Sequence, residues 1–233
     1  MTRRRIVLMR HGAVDYFRAD GTPVESHGVP LNAQGRLQAD AAGAAFAKEG
    51  VVIDRVVVSG LPRTVETAQR VLAAAGQGGV PMDVVPALAE IKGGALADIT
   101  DDRIEAVFTQ PFTTTQDVEA QRFLDGESIG EMLDRVLPAF DALLARDDWD
   151  CLLLVLHGGV NRALLSRALA GGRAFFGRLE QSTACINIVD VGPKDMIVRA
   201  TNLAPTQWLH AQERHTSMER LFAQYARTRE LAV

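Results

Sequence analysis

Long apolar runs are missing from this chain: no segment approaches the roughly 20 apolar residues needed to cross a bilayer, so a membrane-spanning helix is excluded. Cysteine is almost missing as well. The 233 residues hold two, Cys151 and Cys185, each in an apolar stretch that reads as a strand. Buried free thiols in a reducing, cytoplasmic setting are therefore expected rather than a disulfide framework. The basic start up to Arg5 is not expected to be a signal peptide, because Ile6–Met9 is too short and Arg10 and His11 interrupt it. Strong net charge is absent too: a formal −4 gives no general attraction to nucleic acid or to an anionic membrane, and neither is expected as a partner. Metal-ligand spacings are missing, with no His-Glu-x-x-His, no paired cysteines and no His-x-His, so neither metal nor other cofactor is expected. What remains, 47% hydrophobic and 23% charged, suits one folded domain able to bury a proper core. Anion binding would have to come from a local cluster, so function is sought in a pocket.

Three short apolar runs, Ile6–Met9, Val56–Val58 and Leu152–Leu156, stop abruptly at polar or glycine residues, as strands buried on both faces of a parallel sheet do. Helical periodicity lies between them. Leu37, Ala41, Ala44 and Ala45 share a face, with Asn32 as N-cap and Gly50 past the end; Val65, Ala68, Leu72 and Ala75 do the same before Gly76. Val160, Leu164, Leu165, Ala168 and Leu169 form a third stripe before Gly171-Gly172. Ser128 and Glu131 have capping-box spacing at the start of another helix, which Pro138 should bend. Ile186–Val191 and Met196–Ala200 around Gly192-Pro193-Lys194-Asp195 read as an edge hairpin. Strand and helix in alternation predict a three-layer α/β/α sandwich with a mostly parallel central sheet. The expected organisation is a single domain over residues 1–233 with insertions at 13–30 and 91–125, the irregular stretches suited to binding loops or lids. In the tail, Met218, Leu221, Phe222 and Tyr225 share a face that either packing or a homo-oligomer contact would explain.

Ligands of open α/β sheets bind beyond the carboxyl ends of the strands. Here those ends carry Arg10-His11-Gly12, Ser59 leading to Arg63, His157-Gly158-Gly159, and Glu90 after the short Val84–Leu88 stretch. Guanidinium forks match a phosphate dianion in geometry and sign, which suits Arg10 and Arg63. A neutral imidazole, His11, can attack phosphorus, and burial beside arginines keeps it unprotonated. A second imidazole, His157, can donate to the equatorial oxygens, with Gly158 letting the backbone approach the anion. A poor alkoxide leaving group needs a proton donor, for which Glu90 is the candidate, with Glu66, Glu127 and Asp98 as alternatives. Asp15 and His27 could reach substrate from the first insertion, whereas His210 and His215 read as surface residues.

These segments resemble the histidine phosphatase superfamily, in the branch of the cofactor-dependent phosphoglycerate mutases and their phosphatase relatives. The resemblance rests on Arg10-His11-Gly12, Pro30 through Ala39, Ser59-Gly60-Leu61-Pro62-Arg63 through Ala68, Leu88-Ala89-Glu90-Ile91, Gly126-Glu127-Ser128 followed by Glu131 and Arg135, and His157-Gly158-Gly159-Val160. It implies a phosphoglycerate mutase-like fold, His11 as the phosphorylated nucleophile, Arg10, Arg63 and His157 as the phosphate pocket, and Glu90 as proton donor. Relatives usually carry a hydroxyl residue where Val14 stands, and mutases an asparagine where Phe17 stands. The resemblance thus implies a metal-independent phosphatase acting on a small phosphorylated metabolite. The near rival is an isomerase that moves phosphate between two positions; the rival from another class is a non-catalytic phosphate-binding module.

Overall fold

The computed structural model describes residues 3–18, 22–96, 99–100, 102–114, 116–211 and 213–230. The apolar runs form β1 (Arg4–Arg10), β2 (Arg55–Val58) and, after a short β3 (Met82–Val84), β4 (Cys151–Leu156). The hairpin supplies β5 (Ile186–Val191) and β6 (Met196–Leu203). One six-stranded sheet results, in the order β3-β2-β4-β1-β5-β6. The first four strands are mutually parallel, and β5 and β6 extend the sheet in antiparallel pairs. Because side chains alternate along a strand, Val7, Met9, Val58, Leu153 and Val155 face one core while Ile6, Leu8, Val57, Leu152 and Leu154 face the other.

Helices α1 (Ala33–Lys48) and α2 (Pro62–Ala74) cover the first of these faces. The opposite face is covered by α4 (Ile129–Leu144) and α5 (Gly158–Ala170), which follow α3 (Ile104–Thr113) in the chain. This is the three-layer α/β/α arrangement. The Asn32 side chain accepts from the Gly35 N–H at 2.8 Å and caps α1. Ser128 and Glu131 close a reciprocal capping box at α4, which continues through Pro138.

Four expectations are corrected. The buried face of α1 is Gly35, Gln38, Ala39, Ala42, Gly43 and Phe46, not the Leu37 stripe; Leu37 is 62% exposed. An alanine-rich helix has little amphipathic contrast, and its face is chosen by backbone approach: a Cβ on Gly43 would lie 2.3 Å from the Val71 carbonyl oxygen of α2. Residues 91–125 are not all loop, since they contain α3. Val84–Leu88 is not one strand but the end of β3 followed by a 3-10 turn at Pro86–Leu88. Cys185 is buried immediately before β5 rather than within a strand.

The apolar face of the tail lies on α6 (Ser217–Glu230) and packs within the chain. Phe222 and Tyr225 meet Phe108 of α3 at ring-centroid distances of 5.9 and 5.8 Å. Phe17, from the first insertion, reaches Tyr225 at 5.9 Å, so both insertions and the tail share one small apolar cluster.

Candidate active site

The ends of β1, β2 and β4 lie side by side in the sheet, and each opens into a polar residue: His11, Ser59 and His157, all buried. The segment after His11 is fixed against α1 and α2. Gly12 N–H donates to Thr67 Oγ1 at 3.1 Å, Ala13 N–H to Gln38 Oε1 at 2.9 Å, and Asn32 N–H to the Ala13 carbonyl at 3.0 Å. Gly12 and Gly35 allow this approach, for a Cβ on Gly12 would sit 2.5 Å from the Gly35 carbonyl oxygen.

Hydrogen bonds set the tautomer of each histidine. His11 Nδ1 lies 2.7 Å from the Gly12 carbonyl oxygen. A carbonyl only accepts, so Nδ1 carries the proton and Nε2 keeps its lone pair. For His157, Nε2 lies 2.8 Å from Ser59 Oγ. The Thr64 hydroxyl donates to the Leu61 carbonyl, so it accepts from Ser59, and Ser59 in turn accepts from His157 Nε2–H. His157 Nδ1 is buried and has no hydrogen-bond partner among the described residues. The two rings meet edge to face with centroids 5.3 Å apart.

Both imidazole pKa values are held well below the ordinary range. For His11 the causes are burial, then the Arg63 charge, then that of Arg10; for His157 they are burial, any charge on His11, and the same two arginines. Arg63 is 3% exposed and uses Nη1 on the Ser26 carbonyl at 2.6 Å, which brings the first insertion over it. Arg10 uses Nη1 on the Gln181 carbonyl at 2.6 Å. The buried Nε–H of each has no hydrogen-bond partner among the described residues.

The Glu90 carboxylate accepts from the Gly159 N–H at the start of α5, at 3.1 Å to both oxygens, and from Ile91 N–H at 3.0 Å on Oε1. A side chain at Gly159 would collide with it, since a Cβ there lies 2.7 Å from Oε1. Gly158 is packed beside Arg10 and Arg162, where a Cβ would lie 3.5 Å from Arg10 Nε. Of the alternative acids, Glu66 is bound to Arg36 and the Leu31 N–H, and Glu127 to Arg135 and the Lys92 N–H. Asp98 lies outside the described residues. His11, His157, Arg10, Arg63, Glu90 and Gly158 are thus brought to one edge of the sheet.

Asp15 and His27 are exposed, and Asp15 accepts from the Asn32 side chain at 2.8 Å. His215 is exposed as expected, but His210 is half-buried, its Nε2 3.1 Å from the Asn202 carbonyl oxygen. Val14 packs into the core beneath α1 and α2, and Phe17 into the α3–α6 cluster. Sequence reasoning overlooked Arg162, 3% exposed, whose Nη2 pairs with Glu180 at 3.0 Å. Its signal was a lone cation in the apolar stretch Val160–Leu165. Gln181, which orients Arg10, had no signal.

Burial of two neutral histidines couples stability to pH. With both folded-state values depressed below the unfolded value near 6.5, the unfolded chain binds more protons once pH falls below about 6.5. The contribution is fully present above that pH and is lost as pH descends toward the depressed values, at up to about 1.4 kcal/mol per unit per histidine. Urea unfolding in phosphate-free buffers between pH 7.5 and 5 should show this fall, and His11→Asn should flatten it by about half. An unchanged slope in the variant contradicts the burial argument.

A family model, Histidine phosphatase superfamily (branch 1), matches residues 6–204. The chain is 28% identical over 167 residues to rat 6-phosphofructo-2-kinase/fructose-2,6-bisphosphatase 1, covering 71% of this chain but 33% of that one, so it spans about a third of that protein's length. It is 30% identical over 168 residues to a probable phosphoglycerate mutase of Serratia proteamaculans, covering 71% and 74% of the two chains. The fold is similar to that of the α-ribazole phosphatase from Shigella flexneri, with a TM-score of 0.68 at 23% identity, over 85% of this chain and 96% of that one.

Proposed function

This chain belongs to the histidine phosphatase superfamily (branch 1), and from that membership we propose that it hydrolyses a phosphate monoester of a small organic metabolite through a phosphohistidine on His11, without metal. The observation that carries this reading is the pair of neutral, tautomer-fixed imidazoles 5.3 Å apart beneath two arginine charges. His11 Nε2 attacks phosphorus in line and the ester P–O bond breaks. Arg10, Arg63 and His157 hold the equatorial oxygens, where charge grows in the transition state. Arg63 and Arg10 each have a buried Nε–H to direct at them. His157 Nδ1 binds phosphate as a donor once the incoming dianion, countering the arginine charges, favours the imidazolium. Glu90 donates a proton to the leaving alkoxide, then takes one from the water that cleaves the N–P bond. Its Oε2, accepting fewer N–H groups than Oε1, is the freer oxygen to carry that proton.

Water is the proposed acceptor because the position of the mutase asparagine holds Phe17, which packs away into the α3–α6 cluster. A cytoplasmic location belongs to the same proposal; the free thiols Cys151 and Cys185 suit a reducing compartment. The test is a panel of phosphorylated metabolites with the purified protein in labelled water, following both free phosphate and isomerised product. Release of phosphate carrying one solvent oxygen is expected. Isomerised product without phosphate release overturns the hydrolytic reading in favour of phosphate transfer, and binding without turnover overturns catalysis altogether.

A further inference from the structure

Glu90 is followed and preceded by backbone that is held with unusual completeness. Arg135, on α4, directs all five N–H groups of its guanidinium at this segment and its support. Nε and Nη2 make a two-pronged pair with the Glu127 carboxylate, both at 2.7 Å. Nη1 donates to the carbonyls of Ala87 at 2.8 Å and Ala89 at 2.6 Å, and Nη2 also donates to the Glu90 carbonyl at 3.1 Å. Glu127 Oε2 then accepts from the Lys92 N–H at 2.9 Å. The backbone from Ala87 to Lys92 is therefore gripped on both sides of Glu90 by one ion pair.

The fold alone does not call for this. Leu88 and Ile91 anchor the segment in the core, and α4 is held by Met132, Leu133 and Val136 in the same cluster. What the extra bonds fix is the direction in which the Glu90 side chain leaves the backbone. Burial by itself would raise Glu127, but the Arg135 fork and the Lys92 N–H hold its carboxyl below the usual range, so it stays an anion and keeps the guanidinium in place. A proton donor out of position by about 1 Å loses much of its effect.

We propose that Arg135, locked by Glu127, is a positioning residue that aims the Glu90 carboxyl at the leaving oxygen, an inference that rests on the reading of Glu90 as proton donor. Lysine at this position keeps the charge but offers a single nitrogen, which cannot bond three carbonyls and a carboxylate in one plane.

The experiment compares two substrates: an alkyl phosphate, whose leaving group needs a proton, and p-nitrophenyl phosphate, whose leaving group departs as the anion. Glu90→Gln should lower kcat/KM, which reports phosphoryl transfer to His11 and not the later hydrolysis common to both substrates, by about 10²–10³ on the alkyl ester and by no more than about tenfold on the aryl ester. Arg135→Lys should reproduce the pattern in kcat/KM in weaker form, about 10–30-fold against less than about threefold, with an unaltered circular dichroism spectrum. The double variant should show a kcat/KM no lower than that of Glu90→Gln alone, since both act on the same proton transfer to the leaving oxygen. If the lysine variant does not fold, Glu127→Gln carries the same comparison. Equal losses on both substrates, or none, in a folded clamp variant overturn the positioning role when Glu90→Gln discriminates. If Glu90→Gln itself fails to discriminate, the donor assignment falls first and the inference with it.

Discussion

His11→Ala should fold normally and lose turnover by at least about 10³-fold, because the nucleophile is removed rather than misaligned. Folding should survive because the ring's hydrogen bond is to the carbonyl of its own neighbour, Gly12. The backbone on either side is secured by others, including the His11 N–H to the Leu156 carbonyl and the Gly12 N–H to Thr67. His157 is a poor substitute nucleophile. Its Nε2 donates to Ser59 in a chain of hydroxyls that ends on the Leu61 carbonyl, and its Nδ1 takes a proton when the phosphate dianion binds, so neither nitrogen keeps a lone pair for attack. Brief mixing of the wild type with radiolabelled substrate and quenching in alkali should trap a phosphoramidate, stable to base and labile to acid, that His11→Ala does not form. Retained turnover in the folded variant, or label on another residue, removes the covalent step from the proposal.

The same residues show what a sequence discloses and what it conceals. Strand ends were legible because a strand buried on both faces is a continuous apolar run, so the first polar residue after Met9, Val58 or Leu156 marks where the chain leaves the sheet. That is a local signal, and it located His11, Ser59 and His157 together with their glycines. Glu90 was reached by the same logic, although β3 ends at Val84 and the approach is by a 3-10 turn. The buried face of α1 is not legible in the sequence because alanines offer no preference, and the close approach of Gly43 to the Val71 carbonyl sets it. α3 has no clear sequence signature, because Thr, Gln and Pro111 dilute its periodicity and its apolar partners, Phe222 and Tyr225, lie at the far end of the chain. Within the site, residues that act directly carried a type signal. Those that hold them, such as Gln181 behind Arg10 and Arg135 behind Glu90, are defined by contacts to backbone carbonyls distant in sequence. No composition or spacing reports such bonds.

Arg63→Met should reduce kcat/KM by about 10³, or about 4 kcal/mol, through loss of a buried cation and its fork from the phosphate. A fall of that size does not by itself distinguish binding from electrostatics; the pH profile does. Burial is the largest cause of the depressed His11 pKa, and the Arg63 charge is the next, ahead of Arg10. The free enzyme reacts with His11 unprotonated, so kcat/KM declines as pH drops through that pKa. In the wild type this acidic limb lies well below 6.5; without Arg63 the protonated ring is less repelled and the limb moves up toward that value. Arg63→Lys separates the two effects, since it keeps the charge while losing the planar fork: its limb should stay low although its rate falls. The second ionisation of the substrate is common to all three proteins and cancels in the comparison. A limb that stays put in Arg63→Met means that burial alone keeps His11 neutral, and the arginine then acts on the phosphate without tuning the nucleophile.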